Sequence, residues 1–167
     1  MLLSPEDLYH TGIVVPDVGV AARRLSAVAG YTWTDIVEGE VTIATGQGTQ
    51  TVDLRFVYSI QAPHLELIQE VPSSPWTARR DNAVHHLGYF TDDFESTTAA
   101  LEANGFTLEM GHTTDGIRPN MFAYLLDTDG TRIELVDRTV MGDWQAFLES
   151  LCPRRGQEVP LDGIRCR

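Results

Sequence analysis

The sequence predicts an α+β fold made of two tandem β-α-β-β-β modules, and three features of the chain predict it. Sliding the sequence along itself by 76 positions lays His10 on His86, Gly12 on Gly88, Asp17 on Asp93, Leu25 on Leu101 and Ala27 on Ala103. Extended and helical patterns then follow in the same order in each half. Each half closes on a glutamate flanked by aliphatics, Leu65-Glu66-Leu67 and Ile133-Glu134-Leu135.

In the first module the apolar run from Leu8 to Val15 predicts a strand leading into Pro16-Asp17. Asp17 caps a helix carrying Val18, Ala21, Ala22 and Leu25 at helical spacing, and Gly30 closes it. Extended segments follow at Val41 to Thr45, Thr51 to Ser59 and Leu65 to Glu70. Within the second of these, Val52, Leu54, Phe56 and Tyr58 alternate with Thr51, Asp53 and Arg55, the period of a strand with one wet face. The second module repeats the order. His86 to Thr91 is a strand, and Asp93 caps a helix through Phe94, Thr97, Thr98 and Leu101 that stops at Gly105. Strands follow over Phe106 to Gly111, Met121 to Asp127 and Arg132 to Asp137, with a tight hairpin turn at Asp127-Thr128-Asp129-Gly130. Val71 to about Asn82, with Pro72 and Pro75, reads as a linker. Met141 to Leu151 predicts a helix with Trp144, Phe147, Leu148 and Leu151 on one stripe, and Cys152 to Arg167 a tail. One domain is therefore expected over residues 1–138, with module one at about 7–71 and module two at about 83–138, followed by a C-terminal helix and tail over 139–167.

The 167 residues, 43% of them hydrophobic, suffice for one self-sufficient core. A net charge of −12 and the lack of a basic stripe argue against nucleic acid as a partner. The apolar runs are too short to span a bilayer, and the N-terminus does not resemble a signal peptide, so a soluble, cytoplasmic protein is expected. Cys152 and Cys166 both lie near the C-terminus and form no CxxC pair, which argues against thiolate zinc sites.

Of the adjacent His85 and His86, the repeat selects His86, because only His86 sits in the shared pattern His-x-Gly. Strand alternation then turns His85 toward the helix side or a sheet edge. If the aliphatics beside Glu66 and Glu134 face the helices, each glutamate points to the opposite face of its sheet. Two imidazoles from the first strands and two carboxylates from the last strands make a donor set suited to Zn, Ni, Co, Mn or Fe. A single strand histidine is ordinarily a packed or surface residue. Four polar residues recurring in register across a repeat point instead to a metal site, which needs both sheets curled around a common cavity.

The stretches Tyr9-His10-Thr11-Gly12-Ile13-Val14-Val15-Pro16-Asp17 and His85-His86-Leu87-Gly88-Tyr89-Phe90-Thr91-Asp92-Asp93 resemble the module-opening strands of the vicinal oxygen chelate superfamily. Leu65 to Ile68 and Asp127 to Asp137 resemble its module-closing strands, so the likeness covers about Leu8 to Arg138. That superfamily includes glyoxalase I, methylmalonyl-CoA epimerase, extradiol dioxygenases and bleomycin- and fosfomycin-resistance proteins. The resemblance implies two modules forming an incomplete barrel around one divalent metal held by His10, Glu66, His86 and Glu134.

A complete ligand set favours the glyoxalase and epimerase branches: metal-dependent lyases or isomerases that move a proton beside a carbonyl or thioester through a metal-stabilised enolate, with Glu134 as the base. The epimerase branch supplies a second acid from a Glu-Gln-Gly stretch, where this chain has Gly46-Gln47-Gly48, so one-base proton transfer fits better. The alternatives are a metal-free, drug-sequestering binding protein and a dioxygenase. The resemblance also implies a homodimer acting on a small-molecule substrate. Alternation places His64 and Arg132 on the cavity side of their strands, and Arg118 lies in a loop where it could hold an anionic substrate group. Trp76 is expected to cover the barrel or fill a module junction, and His112 to be solvated.

Overall fold

The computed structural model describes residues 2–116 and 119–152, so Arg118 and the tail over 153–167 lie outside the described residues. The first half contains β1 (Leu8–Val15), α1 (Val18–Ala29), β2 (Val37–Thr45), β3 (Gly48–Tyr58) and β4 (Leu65–Gln69). The second contains β5 (His86–Thr91), α2 (Phe94–Ala103), β6 (Thr107–His112), β7 (Phe122–Leu126) and β8 (Arg132–Asp137), followed by the short helices α3 (Arg138–Met141) and α4 (Trp144–Ser150). Both expected helix caps form. The Asp17 carboxylate accepts from the Val20 N–H at 2.8 Å, and the Asp93 carboxylate from the Ser96 N–H at 3.0 Å, satisfying donors that the first helical turn leaves free.

The eight strands close on themselves in the order β1-β4-β3-β2-β6-β7-β8-β5. This corrects the expectation of an incomplete barrel, and β2 is the cause. It begins at Val37 rather than Val41 and pairs antiparallel with β3 along nine positions, then offers its other edge to β6 through Ile43↔His112, Ala44↔Gly111 and Thr45↔Met110. β1 pairs antiparallel with β5 at the other seam. A strand edge left open exposes unpaired N–H and C=O groups, and both seams satisfy them within the chain.

Helices cover the outside. Val18 and Ala22 of α1 bury against Trp33, Val57 and Leu67, with Leu65 beside them. Leu101 of α2 buries against Ala123, Leu125, Ile133 and Leu135. The aliphatics on either side of Glu66 and Glu134 therefore face the helices, and the pleat turns both carboxylates inward. Inside, the irregular segment between β4 and β5 inserts Trp76, 1% exposed, among Val14, Ile43, Leu54, Ile68, Met110 and Tyr124. The Trp76 indole N–H donates to the Tyr124 hydroxyl at 3.2 Å. Leu148 anchors α4, while Trp144 packs edge-on against Tyr9, Tyr58 and His64. Among the described residues, no helix is long and apolar enough to cross a membrane.

Candidate metal centre

The β1–β5 seam explains the His-x-Gly pattern. In its register His10 lies opposite Gly88, and Gly12 lies opposite His86. A Cβ on Gly12 would overlap the His86 imidazole, and a Cβ on Gly88 would overlap that of His10, both well inside the 3.0 Å that real Cβ contacts respect. Each glycine is thus the space into which the other module's histidine turns. On the far side of each glycine stands its own module's glutamate, in the parallel pairs Gly12↔Glu66 and Gly88↔Glu134. Two neighbouring rungs of the barrel, Glu66–Gly12–His86 and His10–Gly88–Glu134, therefore carry the four side chains.

The four donors converge in the interior. His10 Nε2 and His86 Nε2 are 2.8 Å apart. Glu66 Oε2 lies 3.2 Å from His10 Nε2 and 3.3 Å from His86 Nε2, and Glu134 Oε2 lies 3.3 and 3.4 Å from the same atoms. Burial is nearly complete: His86 is 1%, His10 2%, Glu66 5% and Glu134 7% exposed. Such a cluster fits a divalent cation on two counts. Lone-pair atoms this close repel unless something positive sits among them, and Glu66 Oε2 is buried without a hydrogen-bond partner among the described residues. The spacing is also that of ligands sharing one ion with bonds of about 2.1 Å.

The electrostatics follow from the same contacts. Burial opposes charge on the Glu66 carboxyl, but the His10 and His86 imidazoles outweigh it and hold its pKa well below the usual carboxylate range. Burial likewise opposes charge on His86, yet Glu134 and Glu66 raise its pKa to about 9. Without a cation, a proton on His86 supplies the positive charge that the carboxylates require.

Three phenols surround the centre. Tyr58 is the register partner of Glu66 on β3–β4, and Tyr124 that of Glu134 on β7–β8. The Tyr9 O–H donates to Glu134 Oε2 at 3.5 Å, and its ring stacks on Phe90 with centroids 3.8 Å apart. Burial first, and then the nearby glutamate charges, push all three hydroxyls well above the ordinary tyrosine range, so they remain protonated. The 76-residue offset does not reveal Tyr58 and Tyr124 because the middle strands and loops differ in length between the halves. An aromatic in the penultimate strand of each half is the signal that would have found them.

His85 requires a correction. It is 8% exposed and turns neither to the helix side nor to an open edge; its ring meets His86 edge-on, with centroids 5.3 Å apart, and also contacts Tyr124. Alternation fails because His85 precedes β5, which starts at His86. Tyr9, its counterpart in the repeat, escapes alternation for a related reason: the β1–β5 register shifts between Leu8 and His10. Burial, followed by repulsion from His86, lowers the His85 pKa to about 3, so this ring is neutral.

The weaker candidates are dispersed. His64 Nδ1 lies 3.0 Å from the Ser59 carbonyl, and its ring abuts Trp144. The Arg132 guanidinium is held by Glu109 at 2.6 and 2.8 Å and donates to the His85 carbonyl at 3.2 Å. His112 is half-buried, and its Nδ1 lies 2.6 Å from Asn120 Oδ1 in an exposed hydrogen bond. Gly46 forms the β2–β3 turn with no atom within 4 Å of where its Cβ would be.

No curated protein matches the sequence. Among solved structures, the chain is similar to a variant of Streptomyces coelicolor methylmalonyl-CoA epimerase in complex with 2-nitronate-propionyl-CoA, at 18% identity and a TM-score of 0.53, covering 78% of this chain and 96% of that one. It is likewise similar to methylmalonyl-CoA epimerase from Mycobacterium tuberculosis, at 19% identity and a TM-score of 0.51, covering 78% and 87%. At these identities the likeness is one of fold. Residues 9–124 match the profile of the Glyoxalase/Bleomycin resistance protein/Dioxygenase superfamily, and with that match spanning most of the chain, the protein belongs to this superfamily.

Proposed function

We propose that the protein is a metal-dependent lyase or isomerase of the glyoxalase–epimerase type, with His10, Glu66, His86 and Glu134 as metal ligands and Glu134 also as the base. The observation that carries this reading is the convergence of four buried donor atoms, one of them without a hydrogen-bond partner among the described residues. Superfamily membership and the epimerase fold of the structural neighbours support it. A bound divalent cation would supply Lewis acidity toward a carbonyl oxygen. Glu134 takes the proton from the adjacent carbon, and the Tyr9 O–H donates to Glu134 Oε2, the oxygen that faces the two imidazoles. The surrounding phenols and indoles keep water from the proton in transit. With Gly46 at an exposed turn, nothing there supplies a second carboxylate, so one base carries the proton both ways. Homodimer formation is part of the proposal; with both seams closed within the chain, it would use outer faces of the barrel.

Elemental analysis of protein purified without chelator or affinity tag tests this reading. About one equivalent of Zn, Ni, Co, Mn or Fe is expected, with loss in His86→Ala. Glu134→Gln should abolish turnover in a screen of keto acids, hemithioacetals and acyl-CoA thioesters while retaining some metal. Protein that neither contains nor takes up metal would favour the binding-protein alternative.

A further inference from the structure

The four donors differ in what lies behind them. His10 Nδ1 is buried with no partner among the described residues, so none of these fixes which nitrogen carries the proton. His86 is different. Its Nδ1 lies 3.0 Å from His85 Nδ1, and His85 Nε2 lies 2.9 Å from the Pro75 carbonyl oxygen.

That short chain has a determined direction. A carbonyl oxygen only accepts, so His85 Nε2 must carry a hydrogen and donate it to Pro75. A neutral imidazole has one N–H, which leaves His85 Nδ1 as a lone pair. Facing that lone pair at 3.0 Å, His86 Nδ1 must be the donor, and in a neutral His86 the remaining lone pair is on Nε2, the atom aimed at the other three donors. Backbone contacts hold His85 in place: its N–H donates to the Gly12 carbonyl at 2.8 Å, and its carbonyl accepts from Arg132 at 3.2 Å. Arg132, in turn, is clamped by Glu109.

We infer that His85 is a positioning residue which selects the Nδ1–H tautomer of His86 and so presents the His86 Nε2 lone pair to the metal, with the Pro75 carbonyl as the terminal acceptor. This rests on reading the four-donor cluster as a metal centre. It gives the second histidine of the pattern "HH" its tautomer and the first its purpose, and it makes the two halves unequal. At the repeat-equivalent position the first half has Tyr9, whose hydroxyl reaches Glu134 rather than the imidazole beside it. An outer hydrogen bond of this kind orients a ligand ring and raises its basicity, and its loss typically costs 10–100-fold in metal affinity.

Long-range 1H–15N correlation of the imidazoles in the full-length, metal-free protein, recorded above pH 9 where His86 has lost its second proton, reads the tautomers directly. His85 bare at Nδ1 and His86 protonated at Nδ1 are expected. A bare His86 Nδ1 overturns the inference, whatever the protein does with metal. The predicted tautomers without any zinc uptake on titration would instead remove the metal-centre reading on which the inference depends. Variants supply the second arm: His85→Phe keeps the ring's bulk without an acceptor, whereas the His85→Asn side-chain oxygen can take the place of Nδ1. Zinc affinity should fall about 10–100-fold in His85→Phe, with loss of the His86 Nδ1–H signal, and recover to within a few-fold of native in His85→Asn. Native affinity in His85→Phe, or equal losses in both variants, overturns the assignment. Where neither variant folds, the tautomers of the native protein decide alone.

Discussion

Gly12 and His86 face each other across the antiparallel β1–β5 seam, and the imidazole of one fills the space that a side chain on the other would need. Gly88 and His10 repeat the relationship with the halves exchanged. The glycines of the two His-x-Gly patterns are therefore part of the centre, although neither offers a donor atom.

Adding one carbon tests this. Gly12→Ala or Gly88→Ala forces an imidazole out of its position, an overpacking that should destabilise the fold by about 1–3 kcal/mol and remove stoichiometric metal binding. Thermal denaturation with metal titration measures both. Gly39→Ala, where nothing lies within 4 Å of the added carbon, is the control and should leave metal binding unchanged.

Acid should act through His85. Its pKa is about 3 when folded and near 6.5 when exposed, so between those values the unfolded chain binds a proton that the folded chain does not. Stability is therefore present above pH 6.5 and falls as pH drops toward 3, by about 1.4 kcal/mol per pH unit from this group. Urea denaturation across that range should lose much of this slope in His85→Phe.

Alkali should act on the metal-free protein through His86. Its pKa is raised to about 9, so the folded chain holds a proton that the unfolded chain has already lost above pH 6.5. This contribution is complete below pH 6.5 and disappears as pH rises to about 9. Bound metal replaces the proton, so zinc-loaded protein should lack this decline, and zinc binding at pH 7 should release protons to the buffer. Calorimetric titration in buffers of different ionisation enthalpy counts them.

Trp144 packs over Tyr9, Tyr58 and His64 at one side of the centre. Truncation to Ala should destabilise the protein by about 3 kcal/mol and let a chelator strip the metal several-fold faster. Unchanged stripping kinetics in folded Trp144→Ala would show that α4 does not limit access.

Which residues recur, and in what order, is written along the chain. Hydrophobic period and capping aspartates marked α1 and α2, and the aliphatic-Glu-aliphatic closings marked β4 and β8. The offset of 76 paired His10 with His86, and the repeated aliphatic-Glu-aliphatic closing paired Glu66 with Glu134, because a duplicated module presents the same face at the same step. What the chain could not express locally was everything set by partners distant in sequence. Closure of the barrel depends on the β2–β6 seam, and the inward turn of His85 on its place just before β5. The pairing of Tyr58 with Glu66 and of Tyr124 with Glu134 depends on strand register, which differing loop lengths hide from any fixed offset. Periodicity assigns a side chain to a face; only the folded barrel decides which two faces meet.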